Sequence, residues 1–408
     1  MDSPSRPGVV AAPVRVGAGF AAFALALLLG LQPITTDAYL PALPMLTREL
    51  GAPMSAAQMT MAALILAFGV AQLVWGPVAD RVGRRPVLIA GLALYTAASA
   101  GAALAANIEL LIVWRTVQGA CLAAAVVVAR AIVRDLYEPL EGARVMSIAL
   151  SGLAVIAFAS PSLGGWVAGV WGWRATLSLV ALAGALTLGF IALRLPETLR
   201  QPNPRATAIA PLARSWSRIA RHPTFLAWAL LTSFTYGGLF TFLAGSSFIY
   251  IDILGVSPGA YGLAMASGSV AYLAGTFACR RWIIRVGVVR AVQRGALFTL
   301  AAGALIVACA MAGWYTVAAV LLPQWLFAFG HGIHQPCGQS GAVGPFPHAA
   351  GAASALAGFV LSLVAFLDGR WLGFALRGEV LPFALTVGFW SLATAAVAWT
   401  LVRRLERP

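Results

Sequence analysis

The chain of 408 residues is 61% hydrophobic and 10% charged, and its mean hydropathy of +0.87 lies far outside the range of soluble globular domains. The formal charge of +14 could suggest a nucleic-acid partner, but the 27 basic residues are all arginines that recur between apolar runs instead of forming one stripe. A polytopic membrane protein is indicated, without nucleic acid as a partner. Because lysine is absent, a P-loop with its phosphate-binding lysine is also excluded.

Twelve apolar runs of about 20 residues are long enough to cross a bilayer as helices. The first six span 16–43, 57–78, 87–106, 109–132, 145–170 and 176–193. The second six span 224–250, 261–279, 291–311, 315–343, 350–367 and 381–402. The longest polar stretch lies between the two sets. The sequence therefore predicts an all-α integral membrane fold of two six-helix bundles, 1–195 and 223–408, joined by a cytoplasmic linker, 196–222.

Arginines mark one side of the predicted membrane. The odd-numbered connections hold only Arg48, Arg174, Arg370 and Arg377. The even-numbered connections hold Arg81, Arg84, Arg85, Arg130, Arg134, Arg144, Arg194, Arg200, Arg205, Arg214, Arg218, Arg221, Arg280, Arg281, Arg285 and Arg290. This asymmetry predicts that both termini are cytoplasmic. A weak internal repeat also relates the halves, with 69–73 ahead of Asp80 matched by 269–273 ahead of Arg280.

The charged stretch 76–86 connects the second and third spans. Asp80 could pair with an arginine or face a helix N-terminus, and such ties would break when the cytoplasmic side opens. Gly76 would let helices approach closely. For Arg84 and Arg85 alone, topology and lipid phosphate contact remain open as the explanation. The predicted gating latch consists of Gly76, Asp80, Arg81, Gly83, Arg84 and Arg85.

Asp37 and Arg115 are charges within predicted spans, where an isolated charge is costly. Each lies about six residues from the outer end of its helix, so both are expected roughly 9 Å below the outer surface, where they can meet. The functional hypothesis is that Asp37 carries a proton and that Arg115 sets its proton affinity. The alternatives are a carboxylate solvated at the outer mouth and an arginine that reaches outward to structural carbonyls.

Further candidates lie in these two spans and in four others. Ser160, Pro161, Gly164 and Gly165 predict a helix bend with a small-residue face for tight packing. Asp368 is expected to reach water at the outer end of its span and to be structural. The predicted substrate-cavity residues are Tyr39, Gln118, Phe234, Tyr236, Phe240, His331, His334 and Gln335.

The spacing of His331, His334 and Cys337 leaves three interpretations open. The three residues lie near one helical face. They could form a cavity wall, an inert polar patch or, with a thin ligand set, a soft metal site. No metal is predicted.

Several motifs resemble the major facilitator superfamily over nearly the whole chain. Gly76-x-x-x-Asp80-Arg81-x-Gly83-Arg84-Arg85 is similar to its signature between spans two and three, and Arg115-x-x-Gln118-Gly119 to that of its proton-coupled members. The stretches 36–44 and 195–199 resemble the subgroup that exports bicyclomycin, chloramphenicol and florfenicol. The stretch 160–165 is similar to the antiporter motif, but Ser160 and Ile156 replace its glycines, which weakens the inference of exchange.

The resemblance implies a non-enzymatic secondary transporter in the bacterial cytoplasmic membrane. Its expected activity is proton-coupled export of drug-like or amphipathic small molecules by alternating access, without a cofactor and driven by the proton gradient. The expected partners are a small-molecule substrate, protons and lipid, and the protein is expected to be monomeric. Uptake or exchange of a metabolite is the alternative within transport, and a channel is the alternative from another class.

Overall fold

The structure is a computed structural model that describes residues 17–376 and 378–405. The predicted cytoplasmic N-terminal segment, Arg377 and the last three residues lie outside the described residues. Twelve helices of the described chain are long and apolar enough to cross a membrane, in agreement with the twelve predicted spans.

The first six of these helices alternate in direction and are joined by short connections. They are α1 (Ala18–Thr36), α3 (Met54–Val82), α4 (Arg84–Ala103), α5 (Ile108–Leu136), α6 (Pro139–Trp171) and α7 (Trp173–Arg194). A 3₁₀ turn, Leu40–Ala42, and the short helix α2 (Leu43–Glu49) follow α1, so the regular helix is interrupted after Thr36 within a membrane segment that continues to Glu49. Two prolines, Pro41 and Pro44, cannot donate the backbone hydrogen bonds that would continue the helix.

The second six follow a polar segment that contains the amphipathic helix α8 (Ile209–Ala220). They are α9 (Pro223–Ser247), α10 (Pro258–Val286), α11 (Val288–Met311), α12 (Val317–Val343), α13 (Ala350–Ala375) and α14 (Val380–Val397). Wider π-helical turns extend α9 through Phe248–Ile253 and α14 through Ala398–Val402. The ends at Val82, Leu136, Arg194, Val286 and Val343 define one side of the bundle, called the arginine-rich face here; the other side is the opposite face.

The connection between α3 and α4 is much shorter than the charged loop 76–86 that the sequence suggested. Asp80 and Arg81 lie in the last turn of α3, and α4 begins at Arg84, so Gly83 is the single residue between the two helices. Gly83 has a φ of 120°, which side-chain-bearing residues rarely adopt. Both helices extend beyond the apolar runs, because charged residues can continue the same helical backbone hydrogen bonding.

The two sets of six helices meet along two long contacts, α3 with α13 and α6 with α10. Helices α3 and α10 have equal lengths of 29 residues, and each is followed by a glycine with positive φ, Gly83 and Gly287. Aligning these ends places Ile284 at the counterpart position of Asp80. This alignment of helix ends differs by one helical turn from the correspondence of Asp80 with Arg280 in the sequence repeat, which stays a prediction.

The two sets of helices are in contact at the opposite face. Arg48 on α2 forms an ion pair with Asp252 after α9 at 3.7 Å. A Cβ added at Gly262 on α10 would overlap the backbone carbonyl of Pro161 on α6. The Leu40–Ala42 turn also contacts α9 and α10. This face is closed by backbone contacts, which leaves the space between the halves to be reached from elsewhere.

Candidate functional site

A cavity of about 140 Å³ lies between the two sets of six helices. It begins beside Gln32 and Thr36 on α1 and reaches Val343, the last residue of α12, at the arginine-rich face. Its wall also includes residues of α3, α5, α9 and α13, so both halves contribute. The cavity therefore extends toward the arginine-rich face while the opposite face is closed.

Two of the eight predicted substrate-cavity residues line this cavity: Tyr236 on α9 and Gln335 on α12. A buried side-chain oxygen of Gln335 has no hydrogen-bond partner, so it could accept one from a bound molecule. The other six lie away from this wall: Tyr39, Gln118, Phe234, Phe240, His331 and His334. Their side chains lie within the helix bundles instead. The rotation of each helix about its axis decides this, and it cannot be predicted from residue type and position in a span. A substrate contact of any of the eight stays a prediction.

Arg115 is completely buried in α5, but it forms no ion pair among the residues that the structure describes. Both terminal nitrogens of its guanidinium donate to the backbone carbonyl of Thr35 at 3.2 Å. One of them also donates to Gln118 Oε1 at 2.7 Å, and the guanidinium lies 4.2 Å from the centre of the Tyr39 ring. The predicted direct pairing with Asp37 is therefore wrong for this conformation. Because α1 ends at Thr36, its last carbonyls lack intrahelical partners, and Arg115 supplies one.

Asp37 follows the last residue of α1 and is half-buried. Its Oδ1 accepts a hydrogen bond from Thr36 Oγ1 at 2.7 Å, and no cation pairs with it in the described chain. It interacts electrostatically with Tyr236 on α9 and Tyr261 on α10, which belong to the other half. The carboxyl group thus lies at the junction between the halves. A carboxylate in such a place is costly unless it is protonated or reaches water.

A buried hydrogen-bond network surrounds the Arg115 guanidinium and accounts for the spacing of the Arg-x-x-Gln motif. Residues three apart share one helix face, so Gln118 can accept from Arg115 and donate to Ser99 Oγ at 2.6 Å. Tyr95 and Thr35 hydroxyls are 2.5 Å apart. These contacts hold the end of α1 against α4 and α5. They make Gln118 a positioning residue for Arg115 in this conformation.

Arg84 is the centre of the predicted latch, and its side chain is only 5% exposed. It forms ion pairs with Asp80 at 2.6 Å and with Asp135 on α5 at 2.8 Å. Arg81 donates to Thr207 Oγ1 at 2.7 Å, and Arg85 donates to the Ala192 carbonyl at 2.9 Å. All of these partners lie in the first six helices or the segment after them. The latch contacts therefore do not bridge the two halves in this conformation.

Glu197 completes the latch, although the sequence showed it only as part of a family motif. Its carboxylate accepts from the backbone N–H groups of Arg84 at 2.9 Å and Arg85 at 3.1 Å, at the positive N-terminus of α4. A Cβ at Gly83 would lie 2.6 Å from Glu197 Oε2, so the Glu197 side chain would have to move, and the φ of 120° itself favours glycine there. Gly76 has only an ordinary contact, 3.7 Å to Val127, so the close helix approach predicted at this glycine is not found.

The small residues of α6 pack against two different neighbours. A Cβ at Gly164 would overlap the carbonyl of Ala38, next to Asp37, and one at Gly165 would overlap the carbonyl of Pro258 on α10. Ser160 Oγ donates to the carbonyl of Ile156 in its own helix at 2.7 Å. The predicted tight packing is therefore present at Gly164, Gly165 and Pro161. A role of this motif in exchange stays a prediction.

His331, His334 and Cys337 do not converge on one point. Both histidine Nδ1 atoms lie within 3.3 Å of Thr235 Oγ1, and His334 Nε2 lies 3.1 Å from the Val292 carbonyl. Cys337 instead has its sulfur 3.5 Å from that of Cys279 on α10. The part of the chain that the structure describes contains no group of three or more histidine, cysteine, aspartate or glutamate residues placed to hold a metal ion.

Two charged residues inside the helices lie in surroundings that the sequence did not predict. Asp368 is 2% exposed, and it accepts hydrogen bonds from Thr241 Oγ1 at 3.0 Å and Trp390 Nε1 at 2.7 Å. The prediction that it reaches water is wrong, because α13 continues to Ala375 and α9 and α14 cover this position. Arg130, counted only for topology, lines the central cavity. Its position six residues before the end of α5 could have suggested this.

Solved transporters share this fold. A bacterial homologue of the human lysosomal transporter Spinster, in an inward-facing and unoccupied conformation, superposes with a TM-score of 0.74. The superposition covers 95% of this chain and 97% of that protein at 15% sequence identity. At this identity the likeness establishes the fold alone.

Sequence relatives and a family profile carry the identification further. An uncharacterized MFS-type transporter, YdgK of Bacillus subtilis, is 32% identical over 64% of this chain, and the match spans about two thirds, 65%, of that protein. Multidrug resistance protein D of Escherichia coli is 31% identical over 82% of this chain and 83% of its own length. The profile described as Major Facilitator Superfamily matches residues 18–367. With its family, its twelve candidate spans and these bacterial relatives, the protein is a multi-pass transport protein of the bacterial inner membrane and not an enzyme. The chain belongs to the Major Facilitator Superfamily, with the drug-resistance exporters as its relatives.

Proposed function

We propose that the protein exports drug-like or amphipathic small molecules in exchange for protons, by alternating access of the central cavity. One observation supports the exchange most directly: Asp37 is half-buried at the junction between the halves and has no cationic partner in the described chain. Any movement that separates Tyr236 and Tyr261 from Asp37 changes the hydration of its carboxyl group. The names of the relatives, including multidrug resistance protein D, support a drug as the cargo.

The proposed orientation places the arginine-rich face and both termini in the cytoplasm, with the linker 196–222 between the bundles 1–195 and 223–408. The conformation described here is then closed to the outside, and its cavity extends toward the cytoplasm. The protein would work as a monomer, surrounded by lipid. It would need no cofactor, because the proton gradient supplies the driving force.

Asp37 and Arg115 would couple the proton to the cargo. When the outer side opens, water reaches Asp37 and the carboxyl group takes a proton from the outside. Closure then buries a neutral group at little cost. When cargo enters from the cytoplasm, the proton leaves, and the positive charge of Arg115 stabilises the carboxylate through the intervening Thr35–Asp37 turn. The latch around Arg84 would hold the cytoplasmic ends of the first six helices together as one body during this motion.

The substitution Asp37→Asn tests the coupling. The amide cannot carry the exchanged proton, so we expect proton-driven export of chloramphenicol to fall at least about tenfold, equivalent to about 1.4 kcal/mol or more in the barrier. Export is measured as uptake into inside-out vesicles with an acidic interior, with and without a protonophore. Expression and thermal unfolding of the variant should match the wild type.

Glu49→Gln is the matched control, because Glu49 is a half-exposed carboxylate at the same face whose ion pair with Arg174 lies within the first six helices. It should retain export. Full gradient-driven export by Asp37→Asn, or chloramphenicol movement that a protonophore does not reduce in the wild type, would contradict the proposed exchange.

A further inference from the structure

The central cavity contains one fixed charge, and it is positive. Of its lining residues, Arg130 on α5 is the single ionisable side chain apart from the phenol of Tyr236. Much of the remaining polar lining is amide, from Gln32, Gln72, Gln335 and Gln339. The cavity therefore offers a cation and amide hydrogen bonds, with no carboxylate on its wall.

Arg130 has no acidic partner within the part of the chain that the structure describes. Its Nη1 donates to Ser354 Oγ on α13 at 3.2 Å, a neutral contact that joins the two halves. The neighbouring Asp135 on α5 forms an ion pair with Arg84 instead. The guanidinium keeps its charge, since arginine does not deprotonate in proteins. The side chain is exposed, so its positive charge faces the open cavity without a fixed counter-charge, about 9 Å from the helix end.

The position of Arg130 argues against a role in lipid contact or topology alone. It lies on the cavity wall between the halves, not on the outer surface of the bundle. Arg134, one turn further along α5, is exposed near Gly351 at the start of α13. Arg134 and Arg130 therefore place two positive charges along the path from the arginine-rich face into the cavity. A cleft with one sign of charge raises the local concentration of ligands of the other sign.

We infer that the cavity binds amphipathic anions, with the acidic group of the ligand on Arg130 in place of the Ser354 hydroxyl. The amides of Gln335 and Gln339 would bind further acceptor and donor groups, and Leu64, Phe68 and Leu361 would contact the apolar part. Arginine suits this task because its planar guanidinium donates two parallel hydrogen bonds to a carboxylate. The inference rests on the proposed transport function, and it specifies the class of cargo.

Binding would also change the conformation. The cavity of about 140 Å³ is smaller than drug-sized sites of about 300–1,000 Å³, so a larger ligand requires the halves to separate at the arginine-rich face. Separation breaks the Arg130–Ser354 hydrogen bond, and the anion replaces it. The ligand would thus be bound best in the wider state.

Matched aromatic ligands of equal shape test this inference: 2-naphthoate, 2-naphthamide and the 2-naphthamidinium cation. Their Kd values are measured by isothermal titration calorimetry on the full-length protein in phosphatidylcholine nanodiscs, which carry no net lipid charge. A charge-assisted hydrogen bond should favour naphthoate over naphthamide by about 10- to 100-fold. Arg130→Gln should abolish this preference, whereas Arg130→Lys should retain part of it.

Arg218→Gln on α8 removes an exposed arginine outside the cavity and is the matched control. It should bind all three ligands as the wild type does. Thermal unfolding of Arg130→Gln at the temperature of the wild type shows that the fold is intact. Equal wild-type affinity for the three ligands, tighter binding of the cation, or a preference for naphthoate that survives Arg130→Gln would overturn the inference.

Transport measurements separate this inference from the proposed function. If a pH gradient drives chloramphenicol export but the wild type does not prefer naphthoate, the anion site is wrong and the export stands. If naphthoate binds through Arg130 but a gradient drives neither compound, the proton-coupled export is wrong and the anion site stands.

Discussion

At the scale of single residues, buried charges in this protein differ in how they are compensated. Arg84 has two carboxylates, Arg115 has a backbone carbonyl and an amide, and Asp37 has a single hydroxyl. Pairing with opposite charge is suited to a permanent contact, since breaking such a pair leaves an uncompensated charge. A weakly held carboxyl group is better suited to a residue that must exchange a proton. The arrangement therefore separates structural charges from those available for coupling.

Asp368 provides a test at this scale. In Asp368→Asn the amide oxygen can accept from Trp390, and the amide nitrogen can donate to the Thr241 hydroxyl, so we expect thermal unfolding close to that of the wild type. Asp368→Leu leaves the indole N–H without a partner and should destabilise the protein by about 1–3 kcal/mol. Both variants are compared by thermal unfolding in detergent. Equal loss in the two variants would show that the hydrogen bonds do not support the fold.

At the scale of helices, close approach is decided by a few glycines whose neighbours are backbone atoms. Gly164 and Gly165 on α6 leave no space for a side chain, because carbonyl groups of Ala38 and Pro258 lie against them. Gly169, one turn further on the same helix, has nothing within 4 Å of its added Cβ. The contact between the halves at the opposite face thus depends on particular positions of α6 and not on its overall content of small residues.

Gly165→Ala should weaken that contact. The added methyl group must push α6 away from α10, and overpacking of this kind costs about 1–3 kcal/mol. We expect a lower unfolding temperature in detergent. Gly169→Ala is the matched control and should change stability by no more than about 0.5 kcal/mol. The prediction is wrong if the two variants behave alike.

At the scale of the whole molecule, the two halves meet along α3 with α13 and α6 with α10, and they enclose one cavity that is closed at the opposite face. Contacts between the halves at the opposite face include the Arg48–Asp252 ion pair, and alternating access requires them to separate. A second ion pair at the same face, Arg174 with Glu49 at 3.4 Å, lies within the first six helices and need not break. Comparing the two ion pairs therefore distinguishes movement of one half against the other from movement within the first six helices.

Cross-linking tests this separation. A bifunctional thiol reagent applied to Arg48→Cys with Asp252→Cys should block chloramphenicol export, and reduction of the cross-link should restore it. The same treatment of Glu49→Cys with Arg174→Cys should leave export intact, because these residues move together. The four native cysteines are buried and should react little. Continued export by the protein cross-linked between Arg48→Cys and Asp252→Cys would contradict movement at this face.

The latch residues show which features of a charged cluster the sequence predicts and which it does not. The alternation of Asp80, Arg81, Arg84 and Arg85 revealed a charged cluster, but not that Arg84 alone is buried while Arg81 is exposed. Burial depends on how α3, α4 and α5 rotate about their axes, and Asp135 and Glu197 come from distant parts of the chain. A motif specifies residue types at short spacing, whereas a cluster is completed by residues that only folding brings near.

Length, hydropathy and short motifs are local properties, and they were sufficient to predict the twelve spans, the family and the presence of charges inside the membrane. The structure was needed to show that Arg115 binds the end of α1 and not Asp37, that Asp368 is buried, and that Arg130 lines the cavity. These outcomes depend on helix ends, helix rotation and the contact between the halves, which are not local properties. A shift of one residue turns a side chain about 100° around its helix, from a cavity wall into a packed interior.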